Sequence, residues 1–131
     1  MNDAAERDLI IKYPLLFGSE GRRRDAAVWG IGCDDGWAEI LSALCSEIQS
    51  YIDEQNIEQV RFSYVKEKFG ELRVSCICAD EYVSSLVSRA LQVSIKTCEW
   101  CGQPGSRKRL QSDWVKTLCE PCEAQALKRI S

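Results

Sequence analysis

Histidine is absent from this 131-residue chain. That removes the commonest general base, the Ser-His and Cys-His nucleophile pairs, and every mixed Cys/His metal site. No stretch approaches the roughly 18 consecutive apolar residues that a membrane-spanning helix needs. Met1 is followed by Asn2, Asp3, Glu6, Arg7 and Asp8, where a secretion signal would place an apolar core. A cytoplasmic protein with no membrane partner is therefore expected. Gly30-x-Gly32 runs into Cys33 and has neither the spacing nor the lysine of a phosphate loop. There is no internal repeat, no low-complexity stretch and no Gly/Ser/Pro linker. An excess of basic charge is also missing. The formal net charge is −3, so the chain as a whole is not a strongly basic nucleic-acid binder.

What is present is an ordinary globular composition, 45% hydrophobic and 28% charged, enough for a core in one domain or in one domain plus a small module. The chain also carries eight cysteines. In a reducing compartment these favour metal ligation and buried thiols over disulfides. Four of them form two pairs, Cys98-Glu99-Trp100-Cys101 and Cys119-Glu120-Pro121-Cys122, in the pattern C-x2-C-x17-C-x2-C. Each pair suits a tight turn that aims two sulfurs at one ion, and four thiolates complete the tetrahedral sphere of one Zn2+. A closed four-thiolate site leaves no position for water or substrate, so a structural zinc is expected rather than a catalytic one. Residues 96–131 hold seven Lys/Arg against four Asp/Glu. Four thiolates around a dication cancel most of that excess.

The pattern of apolar residues predicts an α+β fold. A short helix begins the chain, with Leu9, Ile10 and Tyr13 on one face, and Pro14 ends or kinks it. Residues 18–25 read as a loop and residues 26–36 as irregular chain or a short strand. A long amphipathic helix follows, capped by Asp34 or Asp35, with Trp37, Ile40, Leu41, Leu44, Cys45, Ile48, Tyr51 and Ile52 at a 3.6 period. Its other face carries Glu39, Glu47, Asp53 and Glu54. Val60, Phe62 and Tyr64 alternate, as do Leu72, Val74, Cys76 and Cys78, which predicts a β-hairpin turning at Lys68-Phe69-Gly70-Glu71. Asp80 caps a further helix with Tyr82, Val83, Leu86, Val87, Ala90 and Leu91 on one stripe. Residues 1–95 thus form a helix and hairpin body, and residues 96–131 a four-cysteine module packed against it. In that module Gly102 turns the chain after the first pair. Leu110, Trp114, Val115 and Leu118 supply a small core. A final helix has Ala124, Leu127 and Ile130 on one side. Knuckle, hairpin and helix together describe a treble-clef-like finger.

Other features bear on function. Lys66, Glu67, Lys68, Phe69 and Glu71 crowd charge around an aromatic at a hairpin tip. Phe69 either anchors a partner or folds back onto the core. Arg22-Arg23-Arg24 and Arg107-Lys108-Arg109 are either solvated charge or phosphate contacts. Trp100 and Trp114 either fill the finger or stack on bases. Cys33, Cys45, Cys76 and Cys78 either form a second metal site or, as Cys45 on the apolar face of a helix and Cys76 on the alternating face of a strand favour, are small buried hydrophobes. Asp34, Asp35, Glu67 and Lys68 match no nuclease motif, and no catalytic constellation is evident, so a non-enzymatic protein is expected.

The segment Cys98-Glu99-Trp100-Cys101-Gly102, then Lys108-Arg109-Leu110, then Leu118-Cys119-x-x-Cys122 and a helix, resembles the finger of the DksA/TraR family. Its spacing is also similar to that of GATA-type fingers. The resemblance covers residues 98–130 and implies that Cys98, Cys101, Cys119 and Cys122 are zinc ligands. The coiled coil that carries the DksA/TraR role has no counterpart in this body, and the basic tail of the GATA role does not follow the finger. Gly32-Cys33-Asp34-Asp35-Gly36-Trp37 and Val65-Lys66-Glu67-Lys68-Phe69-Gly70-Glu71-Leu72-Arg73, together with the finger, resemble small proteins encoded by phages and prophages. That implies a mobile element in a bacterial host cell as the setting and no particular activity. With the acidic body and the lack of a catalytic constellation, the expected partner is a host protein or complex, in the transcription apparatus or an antiviral defence system. Nucleic acid, bound through the finger and the two basic triplets, is the alternative partner.

Overall fold

The computed structural model describes residues 1–18 and 25–130. Its elements run α1 (Asp3–Lys12), α2 (Pro14–Phe17), α3 (Ala26–Trp29), β1 (Ile31–Gly32), a 3-10 turn (Asp35–Trp37), α4 (Ala38–Gln55), β2 (Arg61–Lys68), β3 (Glu71–Ile77), α5 (Glu81–Ser94), β4 (Ser106–Gln111), β5 (Trp114–Leu118) and α6 (Glu120–Ile130). The fold is α+β, with a mixed sheet ordered β1-β2-β3 and a separate β4-β5 hairpin. The mixture follows from the connections. Helix α4 returns the chain between β1 and β2, which makes that pair parallel, whereas the tight turn after β2 makes β2 and β3 antiparallel.

Pro14 separates α1 from α2, as its missing N–H and fixed φ dictate. Phe17 meets Phe62 edge to face at 5.2 Å and so ties α2 to β2. The apolar stripe of α4 buries Leu41, Leu44, Cys45, Ile48 and Ile52, with Trp37 fully enclosed before it. Neither Asp34 nor Asp35 caps α4. The preceding 3-10 turn occupies that place, and the Asp35 carboxylate instead accepts from the Asn2 backbone N–H and side-chain amide at 2.7 and 2.8 Å. Asp80 does cap α5, accepting from the Val83 N–H at 2.9 Å.

Strand β2 departs from simple alternation. Phe62 pairs with Cys76 but Tyr64 pairs with Ser75, leaving Ser63 as the extra residue of a bulge. The bulge restarts the alternation, so Val65 and not Tyr64 follows Phe62 into the core, and Tyr64 is exposed. Between β2 and β3, Phe69 and Gly70 have φ of 53° and 80°. Two central residues at positive φ are the mark of a type I′ turn, whose twist matches the strands it joins. In α6 the buried residue is Ala126, one turn beyond Cys122, while Ala124 and Leu127 are exposed. The inward face is therefore rotated from the one predicted, because Cys122 must point at the other sulfurs.

Candidate metal centre

The four Sγ atoms of Cys98, Cys101, Cys119 and Cys122 lie within 4.8 Å of one another. Cys101 and Cys119 are 3.6 Å apart. Sulfurs bound at about 2.3 Å to one tetrahedral zinc would stand about 3.8 Å apart, so the cluster fits one ion such as zinc. All eight cysteines are free thiols. Among the described residues no other group of three or more Cys, Asp or Glu side chains converges in this way.

Local backbone geometry builds the cluster. Gly102, at φ 83°, returns its N–H to the Cys98 carbonyl at 2.9 Å, and the Cys98 N–H reaches the Gln103 carbonyl at 2.7 Å. That closes the first pair into a knuckle. Cys119 stands just before α6 and Cys122 lies in its first turn, where the Glu123 N–H bonds the Cys119 carbonyl at 2.9 Å. Beneath the sulfurs sit buried Leu110, Leu118 and Ala126, with Trp100 and Trp114 packed at the edge. The Arg129 guanidinium covers the Trp100 ring at 4.7 Å.

Burial pushes the Cys98 thiol up, but the backbone N–H groups of Cys119, Cys101 and Trp100 outweigh it and bring its pKa down to about 7. Burial and the neighbouring sulfurs raise Cys122. Thiolates this close oppose one another's ionisation, and a divalent cation removes that opposition. The remaining cysteines differ in kind. Burial holds Cys33 and Cys45 at about 12 and Cys76 at about 11, so they stay protonated thiols, the first two within the core and Cys76 half-buried against it, whereas Cys78 lies exposed after β3 and is not a buried hydrophobe.

The finger is joined to the body by polar contacts that the sequence reading missed. Glu99, between the first two cysteines, is 1% exposed. Its carboxylate accepts from Lys116 Nζ at 2.9 Å and from the Asp34 backbone N–H at 3.1 Å. Burial pushes its carboxyl above the ordinary range despite the adjacent cation. Lys116 also faces Glu67 at 3.4 Å. Around this cluster the Gly36 N–H bonds the Glu99 carbonyl at 2.7 Å, the Trp37 indole N–H bonds the Thr97 carbonyl at 2.8 Å, and the Thr117 hydroxyl bonds the Gly70 carbonyl at 2.7 Å. The only sequence signal was weak: a lysine and a threonine on a short strand in line with apolar neighbours.

These contacts place the other candidate residues. Glu67 and Glu71 at the hairpin tip face the finger, Glu71 being paired with Arg107. Lys66, Lys68 and Phe69 face solvent. In the second basic triplet, Arg107 holds Glu71, Lys108 holds Glu123 at 3.4 Å, and Arg109 donates to the Ser112 carbonyl. Arg22, Arg23 and Arg24 lie outside the described residues. No helix among the described residues is long and apolar enough to cross a membrane.

The cluster and its setting define a four-cysteine, zinc-finger-like metal site on an α+β body. No protein-family model, curated protein or solved structure matches this chain.

Proposed function

We propose that this is a non-enzymatic, zinc-stabilised protein of phage or prophage origin. It acts by binding a macromolecule of the bacterial host, in the transcription apparatus or an antiviral defence complex, and restraining it. The zinc is one ion per chain, held by Cys98, Cys101, Cys119 and Cys122, and its role is structural. Four thiolates fill its coordination sphere, which leaves no site for substrate or water. The phage setting rests on the resemblance of the Gly32–Trp37 and Val65–Arg73 segments.

The observation that carries the binding role is Phe69, 56% exposed in a hairpin turn whose next residue, Gly70, is fastened to the finger by the Thr117 hydroxyl. A rigidly mounted, exposed aromatic suits an anchor for a partner. The measurement has two arms. Metal analysis of the purified protein should give one zinc per chain. A tagged pull-down from bacterial lysate should retain one stoichiometric host macromolecule and lose it on Phe69→Ala. Glu67 and Glu71 are poor choices for that variant, because both pair with the finger. A metal-free protein, or a pull-down with nothing above background, would overturn the reading.

A further inference from the structure

The three-stranded sheet has one covered face and one open face. Beyond the bulge, Val65 and Glu67 share the inner face with Val74 and Leu72. The opposite face carries the pairs Tyr64–Ser75, Lys66–Arg73 and Lys68–Glu71. Tyr64, Lys66, Lys68 and Arg73 are exposed there, and Phe69 extends the row. Arg107 joins from β4, because Glu71 binds the guanidinium groups of both Arg73 and Arg107. The patch thus holds four cations and a single carboxylate shared between two of them, on a chain of net charge −3. Rings alternate with the charges. Lys66 Nζ lies 4.5 Å from the Tyr64 ring centroid and Lys68 Nζ 5.9 Å from that of Phe69.

The pairing of Lys66 with Arg73 is informative. Like charges directly opposite across a ladder destabilise a sheet. Glu71 is shared between Arg73 and Arg107 while Lys66 lies over the Tyr64 ring, so the face keeps an excess of positive charge. A polyanion lying across the face would relieve it. We propose that this face binds single-stranded nucleic acid, with phosphates on Lys66, Lys68, Arg73 and Arg107 and bases stacked on Tyr64 and Phe69. The proposal rests on the reading above that the protein acts by binding, and it names the chemistry of the partner. A duplex hides its base faces and would leave the two rings without a role, whereas an unpaired strand offers both phosphates and bases. Tyr64 to Phe69 spans on the order of 15 Å of extended chain, room for a short stretch of strand.

The test is fluorescence anisotropy of labelled 12-nucleotide oligothymidine and oligouridine with the zinc-loaded full chain. Saturable binding is expected at 50 mM salt. It should weaken about 20- to 50-fold at 200 mM, as three or four phosphate contacts to a single strand require. Lys66→Glu combined with Lys68→Glu should abolish it. Tyr64→Ala should weaken it about tenfold while Tyr64→Phe retains it. Glu54→Gln, on the exposed acidic side of α4, should change nothing. No binding at 50 mM salt, or full binding by the double charge reversal, would overturn the proposal. So would equal binding of polyglutamate with no response to Tyr64→Ala, an outcome that assigns the face to an acidic protein. None of these results depends on the zinc count or on the pull-down, so each reading can fail without the other.

Discussion

The body and the finger reach stability by different routes. In the body, helices α1 to α5 and the sheet enclose a continuous apolar core that runs from Leu9 to Ala90 and includes Trp37, Phe17 and Phe62. Among the described residues of the finger, the buried apolar ones are Cys98, Leu110, Leu118 and Ala126. So few side chains cannot offset the ordering of more than thirty residues at roughly 1–2 kcal/mol each for the backbone. The four converging sulfurs of the finger could hold an ion that supplies what this small core lacks, and the finger is also seated against the body. The difference teaches that one part of this chain has an apolar core of its own, while the other has a four-sulfur cluster in place of one and contacts the body through Glu99, Lys116 and Gly36.

The largest effect should come from the metal. Chelation, or Cys119→Ser, should remove on the order of 10 kcal/mol of coordination energy. Amide protons of residues 98–130 should then lose protection from exchange while those of α4, β2 and β3 keep it. Loss of protection across the whole molecule would break the comparison, because it would make the body as metal-dependent as the finger.

Next in size is the buried ion cluster. Lys116→Met leaves the Glu99 carboxylate enclosed with no cation beside it, which should cost about 3–5 kcal/mol in denaturant unfolding. Adding Glu99→Gln should recover most of that loss, a coupling that a double-mutant cycle measures directly. An additive pair would mean that Lys116 and Glu99 do not act as a unit at the seam.

Gly36→Ala tests the seam from the body side. A Cβ there would stand 2.1 Å from the Cys98 carbonyl oxygen, so the knuckle must move. The cost should be about 3 kcal/mol, and zinc release to a chelator should accelerate although no ligand has changed. Unchanged release would separate body and finger. By contrast, Asp80→Ala removes the N-cap of α5 and its bond to the Tyr51 hydroxyl, an exposed contact between residues of the body. It should cost about 1 kcal/mol and leave zinc release as it was.

How much of this was legible in the sequence depended on whether a feature is set by neighbours along the chain or across space. Helices α4 and α5, the Asp80 cap, the Pro14 break and the Gly70 turn are local, and each was predicted where it is found. The convergence of Cys98, Cys101, Cys119 and Cys122 was legible because paired CxxC spacing is what a tetrahedral site requires. The Ser63 bulge was not, since the choice between Tyr64 and Val65 for the core is made by packing against the helices, which no two-residue period encodes. Glu99 was missed for a similar reason. A glutamate between two cysteines reads as a solvated residue, and only the approach of Asp34 and Lys116 from distant parts of the chain encloses it. Cap geometry at α4 failed because Asp35 is drawn to Asn2, a contact over 33 positions of sequence.

The smallest effect on stability bears most directly on function. A type I′ turn favours Asn-Gly, and a bulky residue at positive φ is strained. Phe69 occupies that position at φ 53°, with its ring largely in solvent, so it gains little burial in return. Phe69→Asn should therefore raise stability by about 0.5–1 kcal/mol, with zinc content unchanged. The same substitution should weaken both oligonucleotide binding and retention of a host macromolecule. A stabilised protein that still binds fully would show that the tip is a turn and nothing more. A stabilised protein that no longer binds would mean that this residue is kept against the preference of its own turn, and that the reason lies outside the fold.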